Sequence, residues 1–442
     1  MDVSTVQEQI AELAKRYPDR GLTSLNKYLD REWIREAFRR TRKDGAVGID
    51  GVSAEEYAKE LEANPDDLPY RAKSGSYFAP PVRRSYAPKP GGKEKRSLGI
   101  PTTEDKVLQK AVVMLLEPIY EGEFYDFSYG FRPGRSCHQA LEDIRNSVMD
   151  MRTEWIVEVD IRKFFDSIDH GKLREIIRQR VRDGVLTRLT DKWLKAGVLE
   201  AGQWQRSEEG TPQGGVISPL LSNIFLHDIL DKWFVQMIQP RLHGRGFLVR
   251  YADDFVMGFQ RREDAERVME VLPKRFGRYG LTLHMGKTRV VPFKRPGAGE
   301  DKRDKGSSQS FDFLGFTHYW GKSLKGNWVV KKKTAETKLN RALQAINRWC
   351  RKHRHDLLEE QQRALNLKLA GHYGYYGITG NARSLHRYRE KVRRYWLKWL
   401  NRRHRQRYSL SWERFQTVHE ATYPLLRPRI VHSVYRACET VI

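Results

Sequence analysis

The chain has 442 residues, 39% of them hydrophobic, enough to bury a core and to form about three domains at roughly 150 residues each. Its 18 Phe, 20 Tyr and 11 Trp exclude a fully disordered chain. With 81 Lys or Arg against 56 Asp or Glu, the net charge is +25, which points to a polyanionic partner, either nucleic acid or an anionic membrane.

Three cysteines (Cys137, Cys350 and Cys438) cannot build a disulfide framework and suit a reducing compartment. The N-terminus, MDVSTVQEQI, has neither the basic start nor the apolar stretch of a signal peptide. The longest apolar stretch, around residues 111–119, is far short of the ~20 residues that cross a bilayer.

In chain order, the first 60 residues read as helical, with a turn from Gly45 to Gly51. Residues 64–100 are rich in Pro, Gly and cations, and PKPGGKEKR (88–96) reads as a β-hairpin or loop. Residues 103–119 predict a buried helix, and Trp155 to Ile161, dense in β-branched residues, predicts a buried strand. Residues 170–200 and Ser218 to Ile238 predict helices, the second with Pro219 in its first turn. Phe247–Tyr251 and Phe255–Phe259 are strand-like runs around Ala252-Asp253-Asp254 and predict a β-hairpin. Residues 262–280 predict a helix, 296–310 a linker-like loop, 311–330 a β-rich stretch, and the rest to about 405 helices. Residues 331–410 hold 22 Lys or Arg and five acids, a net of +17, with Trp349, Tyr373, Tyr375, Tyr376, Tyr388, Tyr395, Trp396 and Trp399 interleaved. Cations for phosphates and flat rings for bases suit a nucleic-acid groove better than a solvated helical face, because the balancing acids are missing.

Asp160 ends one apolar strand, and Asp253 and Asp254 sit at the tip of an apolar hairpin. Carboxylates there are expected to be poorly solvated and mutually repulsive, and a divalent cation with a preference for hard oxygen ligands would relieve both. An Asp-Asp pair alone more often marks a turn. Two other patterns carry nothing. Gly280 to Gly286-Lys287-Thr288 has five residues between its glycines where a phosphate loop needs four. Cys350, His353 and His355 lack a fourth zinc ligand of suitable spacing.

The neighbourhood of the carboxylates is more specific. VEVDIRKFFDSI (157–168), GTPQGGVISPLLSNIFL (210–226), YADD after VR (249–254), GLTLHMGKT (280–288) and FLGF (313–316) resemble, in order, the catalytic blocks of reverse transcriptases. GIDG (48–51), RRSYAPKPGGKEKRSLGIPT (83–102) and SYGFRPGRS (128–136) are similar to the blocks that precede them. TPQGG with SPLLSNI, and LKLAGHYGYYGITGN (367–381), narrow the resemblance to bacterial group II intron-encoded reverse transcriptases, or maturases, over residues 30–435.

That resemblance implies an α+β right-hand polymerase. Residues 1–102 would form an N-terminal extension and fingers, 103–330 the palm with remaining fingers elements, 331–410 a helical thumb or maturase domain, and 411–442 a short tail without the family's endonuclease. It implies metal binding by Asp160, Asp253 and Asp254, with Ile161 among the metal-site residues, and two Mg²⁺ ions for which Mn²⁺ could substitute. Phe165 matches a steric gate against ribose, against the plainer reading of a core aromatic beside Phe164. Gln213 and Gly214 match the block that meets nucleotide and template, Lys89 and Arg96 the residues that neutralise the triphosphate, and Lys287 a proton donor to pyrophosphate. Arg393, Arg394, Lys398, Tyr376 and Trp396 are expected to contact RNA. Expected partners are template RNA of the group II intron class, primer or target DNA, and dNTPs, in the cytoplasm on the nucleoid. The alternatives are an RNA-binding splicing cofactor in which polymerisation is secondary, and a domesticated enzyme of repair or phage defence.

Overall fold

The computed structural model describes residues 2–88, 95–200, 203–205, 214–297, 310–403 and 409–433. They form two compact units: Met1–Ile144 with Trp155–Val290, and Arg145–Glu154 with Val291–Ile442. Among the described residues no helix is long and apolar enough to cross a membrane.

The first unit opens with α1 (Val3–Arg16), α2 (Arg31–Arg40), α3 (Ala54–Ala63) and α4 (Asp67–Ser74). Local signals set their starts. The Asp30 carboxylate accepts from the Trp33 amide at 2.9 Å, and Ser53 with Glu56 closes a capping box on α3. Strands β1 (Val82–Pro88) and β2 (Lys95–Ile100) pair antiparallel, while most of the 88–96 stretch read as a hairpin or loop, residues 89–94, lies outside the described residues. Helix α5 (Thr103–Glu121) then runs buried nearly all round, with Val107, Leu108, Ala111, Val112, Met114, Leu115 and Ile119 sealed from solvent. It packs against α1 and α2, and the Trp33 indole donates to the Ala111 carbonyl at 2.9 Å. At its first turn, buried Asp105 accepts from the Tyr77 hydroxyl, the Trp193 indole and Gln109. Burial pushes this carboxyl up to about 6, and the three donors hold it there against a larger rise.

After α6 (Cys137–Met151), β3 (Trp155–Val159), α7 (His170–Arg180) and α8 (Gly184–Lys195) comes a small hairpin, β4 (Val198–Glu200) and β5 (Gln203–Gln205), that the sequence pattern did not announce. It extends the first hairpin into a sheet of order β2-β1-β4-β5, with β4 parallel to β1. Helix α9 (Ser218–Leu226) has Pro219 at its start and continues through π-helical turns at His227–Asp231 and Phe234–Ile238. The remaining elements are β6 (Gly246–Tyr251), β7 (Asp254–Phe259), α10 (Arg262–Gly277) and β8 (Arg289–Pro292), the last of which runs across the unit boundary at Val290. They complete a second sheet of order β6-β7-β3-β8, with α10 packed on β3 and β7. Both β6 and β7 are buried along almost their whole length, which explains continuous apolar runs instead of alternation.

The second unit holds the sheet of β9 (Ser310–Phe313), β10 (Phe316–Lys322) and β11 (Trp328–Thr334), followed by α11 (Glu336–Lys352), α12 (Leu358–Tyr376) and α13 (Ala382–Leu400). Leu339, Leu343, Leu365, Leu369, Leu385, Val392 and Trp396 form its helical core. Trp396 is 1% exposed, and its indole donates to Gln361 Oε1 of α12 at 2.9 Å. Trp396→Ala is therefore expected to cost about 3–5 kcal/mol of stability, read as a fall in melting temperature, through the cavity it leaves. It should leave the salt dependence of RNA binding unchanged.

Candidate active site

The hairpin of β6 and β7 is tighter than the sequence suggested. Tyr251 pairs with Asp254, so only Ala252 and Asp253 connect the strands, and Asp254 is the first residue of β7. Strand β3 pairs antiparallel with β7 from Trp155 opposite Phe259 to Val159 opposite Phe255. The last pair is Val159 opposite Phe255, so Asp160, next after β3, and Asp254, next to Phe255, come to the same end of the sheet. Residues 280–288 secure the other side of Asp160. Its carbonyl accepts from the His284 amide at 2.8 Å, and its amide donates to Thr288 Oγ1 at 3.4 Å. Lys287 Nζ donates to Asp160 Oδ2 at 2.9 Å.

Solvation at these carboxylates differs from the expectation. Asp254 is exposed, Asp253 is half-buried, and the Asp160 side chain is 33% exposed. The apolar strands stop where the carboxylates begin, so the acids stand at an open sheet end instead of inside the core. Among the described residues no three His, Cys, Asp or Glu side chains form a ready-made metal cage. The donor set nevertheless fits Mg²⁺, which is held by one or two carboxylates together with water and substrate phosphates, not by an all-protein cage. Ile161 has a buried side chain that offers no donor atom, so only its backbone could serve an ion.

The chain matches the sequence profile of the family described as Reverse transcriptase (RNA-dependent DNA polymerase) over residues 87–318, more than half its length and the span that holds all of these groups. It belongs to the reverse transcriptase family. It is 33% identical to Protein YkfC of Escherichia coli over 332 residues, which cover 66% of this chain and 85% of that protein. It is 46% identical to the group II intron-encoded protein LtrA of Lactococcus lactis over 188 residues, 42% of this chain but 30% of LtrA. It is 32% identical to nuclear intron maturase 4 of Arabidopsis thaliana over 199 residues, 45% of this chain and 22% of that protein. The chain is thus a reverse transcriptase of the group II intron and maturase branch, an RNA-directed DNA polymerase, and its family works with divalent metal ions.

Other sequence-predicted residues of this reverse transcriptase fall into three groups. The first keeps an accessible position. Phe164 is core, whereas Phe165 is only partly buried and meets it edge-on at 5.3 Å. Gly214 adopts φ +120°, and a Cβ there would lie 2.5 Å from the Gly99 carbonyl oxygen, so close packing on the end of β2 itself requires glycine. Arg394 and Lys398 are exposed on α13. Tyr376 is half-buried against Phe316 and His372.

The second group is corrected by the structure. Arg393 is 8% exposed, its guanidinium bound to Glu420 at 2.8 Å and to Glu390 at 2.7 Å. Trp396 lies in the core. Both are buried and bonded within the chain, and both hold the helices together. The third group lies outside the described residues: Lys89, Gln213 and the side chain of Arg96, whose backbone stands opposite Ala87 in the β1–β2 pair.

Arg250, Asp231, Asn223 and Gly130, to which the sequence motifs assign no role, surround the hairpin turn. The one available signal was a charged residue inside the otherwise apolar β6, a position where burial without a partner is costly.

Proposed function

We propose that this reverse transcriptase extends a DNA primer along an RNA template at Asp160, Asp253 and Asp254, which would hold two Mg²⁺ ions. The neighbouring strands β3 and β7 support this reading, because their last pair, Val159 with Phe255, brings Asp160 and Asp254 to the same end of the sheet. Bound there, the ions supply charge stabilisation at the attacking and leaving oxygens. The chain's own groups do the rest. The carboxylates would fix the geometry, and Lys287, 63% exposed and in contact with Asp160, would give a proton to the departing pyrophosphate. Lys89 and Arg96 would neutralise the triphosphate by charge-assisted hydrogen bonds, with Gln213 and Gly214 against nucleotide and template. In this reading residues 1–102 act as fingers, 103–330 as palm and 331–410 as thumb.

Phe165 would reject ribonucleotides, since its half-open ring lies on the short turn directly after Asp160. Phe165→Val is expected to raise the ratio of ribonucleotide to deoxyribonucleotide incorporation, measured by competing rNTP and dNTP in primer extension. An unchanged ratio returns Phe165 to the core.

The cationic helices α11–α13 favour a second role, binding a folded intron RNA to assist splicing and retrohoming. Asp253→Asn separates the two roles. Primer extension should vanish while RNA binding, measured by filter retention, persists. Loss of both, or of neither, overturns the assignment.

A further inference from the structure

The turn that presents Asp253 and Asp254 is strained. Ala252 adopts φ +56°, a left-handed conformation that in two-residue hairpin connections favours glycine. A buried network supplies what the alanine does not. Arg250, 0% exposed, donates from Nη1 to the Ala252 carbonyl at 3.1 Å and to Asn223 Oδ1 at 2.9 Å. Its Nε and Nη2 donate to the two oxygens of buried Asp231 at 2.8 and 2.6 Å. Burial pushes this carboxyl up, but the paired guanidinium, with His227 3.6 Å away on the same helical segment, brings it below the ordinary aspartate range.

Asn223 and Asp231 lie eight residues apart on the helical segment that continues α9. At 3.6 residues per turn they would point roughly 80° apart, and the extra residue taken up by the π turn at His227–Asp231 removes most of that angle. Both side chains therefore meet one guanidinium.

A second strap crosses the turn. The Arg250 amide donates to the Phe127 carbonyl and the Tyr129 amide to the Arg250 carbonyl, each at 2.9 Å. The Gly130 carbonyl accepts from Asn223 Nδ2 at 2.7 Å. A Cβ on Gly130 would lie 2.2 Å from the Ala252 amide nitrogen, so the chain there presses directly on the turn.

A buried ion pair by itself is weak support for stability, because apolar residues of similar volume commonly replace it without loss. Such a replacement could not bind the carbonyl of the turn or grip the helix at two points. We infer that Arg250, anchored by Asp231 and Asn223, is a positioning residue for the polymerase reaction. With Gly130 it locks Ala252 in its left-handed conformation and so sets where Asp253 and Asp254 stand relative to Asp160. This rests on the reading of those aspartates as metal-holding groups.

The test uses the full chain and two independent variants. Arg250→Lys keeps the charge but cannot serve all four acceptors, and Gly130→Ala displaces the turn while leaving the ion pair whole. Each is expected to weaken Mn²⁺ binding to the protein with primer–template, followed by electron paramagnetic resonance, by about tenfold or more. Each should lower kcat for extension roughly 10²-fold, with little change in KM for dNTP, at temperatures well below melting. Adding Ala252→Gly to Arg250→Lys should recover much of both losses, because glycine takes the conformation unaided. Should Arg250→Lys fail to fold, Gly130→Ala decides alone. A folded variant with wild-type Mn²⁺ affinity and kcat overturns the inference, as does a lowered melting temperature with no metal effect and no rescue by Ala252→Gly. Asp253→Asn in the same resonance assay keeps the two readings apart. Wild-type Mn²⁺ binding there sinks the metal assignment, whereas lost binding there with an unaffected Arg250→Lys sinks only the role of Arg250.

Discussion

Asp253→Asn and Asp254→Asn are each expected to lower kcat for RNA-templated primer extension by about 10³-fold or more. A metal ion contributes several kcal/mol of charge stabilisation in the transition state, and each ~1.4 kcal/mol is a factor of ten. The amide keeps the size of the side chain and removes the anionic oxygen that would bind the ion. The position of the residues makes the result readable. Asp254 is exposed and Asp253 half-buried at the end of a sheet whose core lies below them, so neither substitution opens a cavity. The melting temperature should therefore hold while extension collapses. Near-wild-type extension by either variant ends the assignment of that aspartate. A collapse of melting temperature would show a structural residue instead.

RNA binding should be strongly salt-dependent, weakening about 10³-fold or more between 50 and 200 mM salt if on the order of six to ten phosphates are contacted. The structure sharpens which cations to test. Lys391, Arg394 and Lys398 are exposed on α13, whereas Arg393 between them is buried against Glu420 and Glu390. Charge reversal of the three exposed residues to Glu should flatten the slope of log affinity against log salt, by roughly 0.7–0.9 for each lost phosphate contact. It should weaken many RNA sequences alike, because phosphates carry no sequence. Arg393→Glu should act differently, lowering the melting temperature by placing a third carboxylate beside two. An affinity indifferent to salt, or a slope untouched by the triple reversal, removes the RNA-binding role from α13.

Local chemistry explains which elements are legible in the amino-acid order alone. The run Trp155 to Val159 is too apolar and β-branched for anything but a buried strand, and α5 carries apolar residues on every face. The ordered blocks around YADD placed the three aspartates on neighbouring strand ends, and the family followed from those blocks. What stayed hidden depended on partners far along the chain. On α13 nearly every polar position is cationic, so composition could not show that Arg393 turns inward to Glu420 while Arg394 turns out. Trp396 reads equally well as a stacking ring or a core ring until Gln361 is seen beside it. The solvation of Asp160, Asp253 and Asp254 is not legible there, because strand hydrophobicity says how deep a strand lies and not where its end opens.

The sequence by itself determined the family, the strand–hairpin pair that carries the carboxylates, and the cationic character of the C-terminal helices. Each is written in contiguous residues through periodicity, turn chemistry or charge count. Only the tertiary structure decided the two-residue length of the hairpin turn, the left-handed backbone of Ala252, and the closure of Arg250 on Asp231 and Asn223. Those depend on the register between strands and on a π turn that rotates one helix, and both are settled by packing over long sequence separations. A guanidinium can be buried only where all of its acceptors converge, and the fold brings them together from the helical segment of Asn223 and Asp231 and from the hairpin turn.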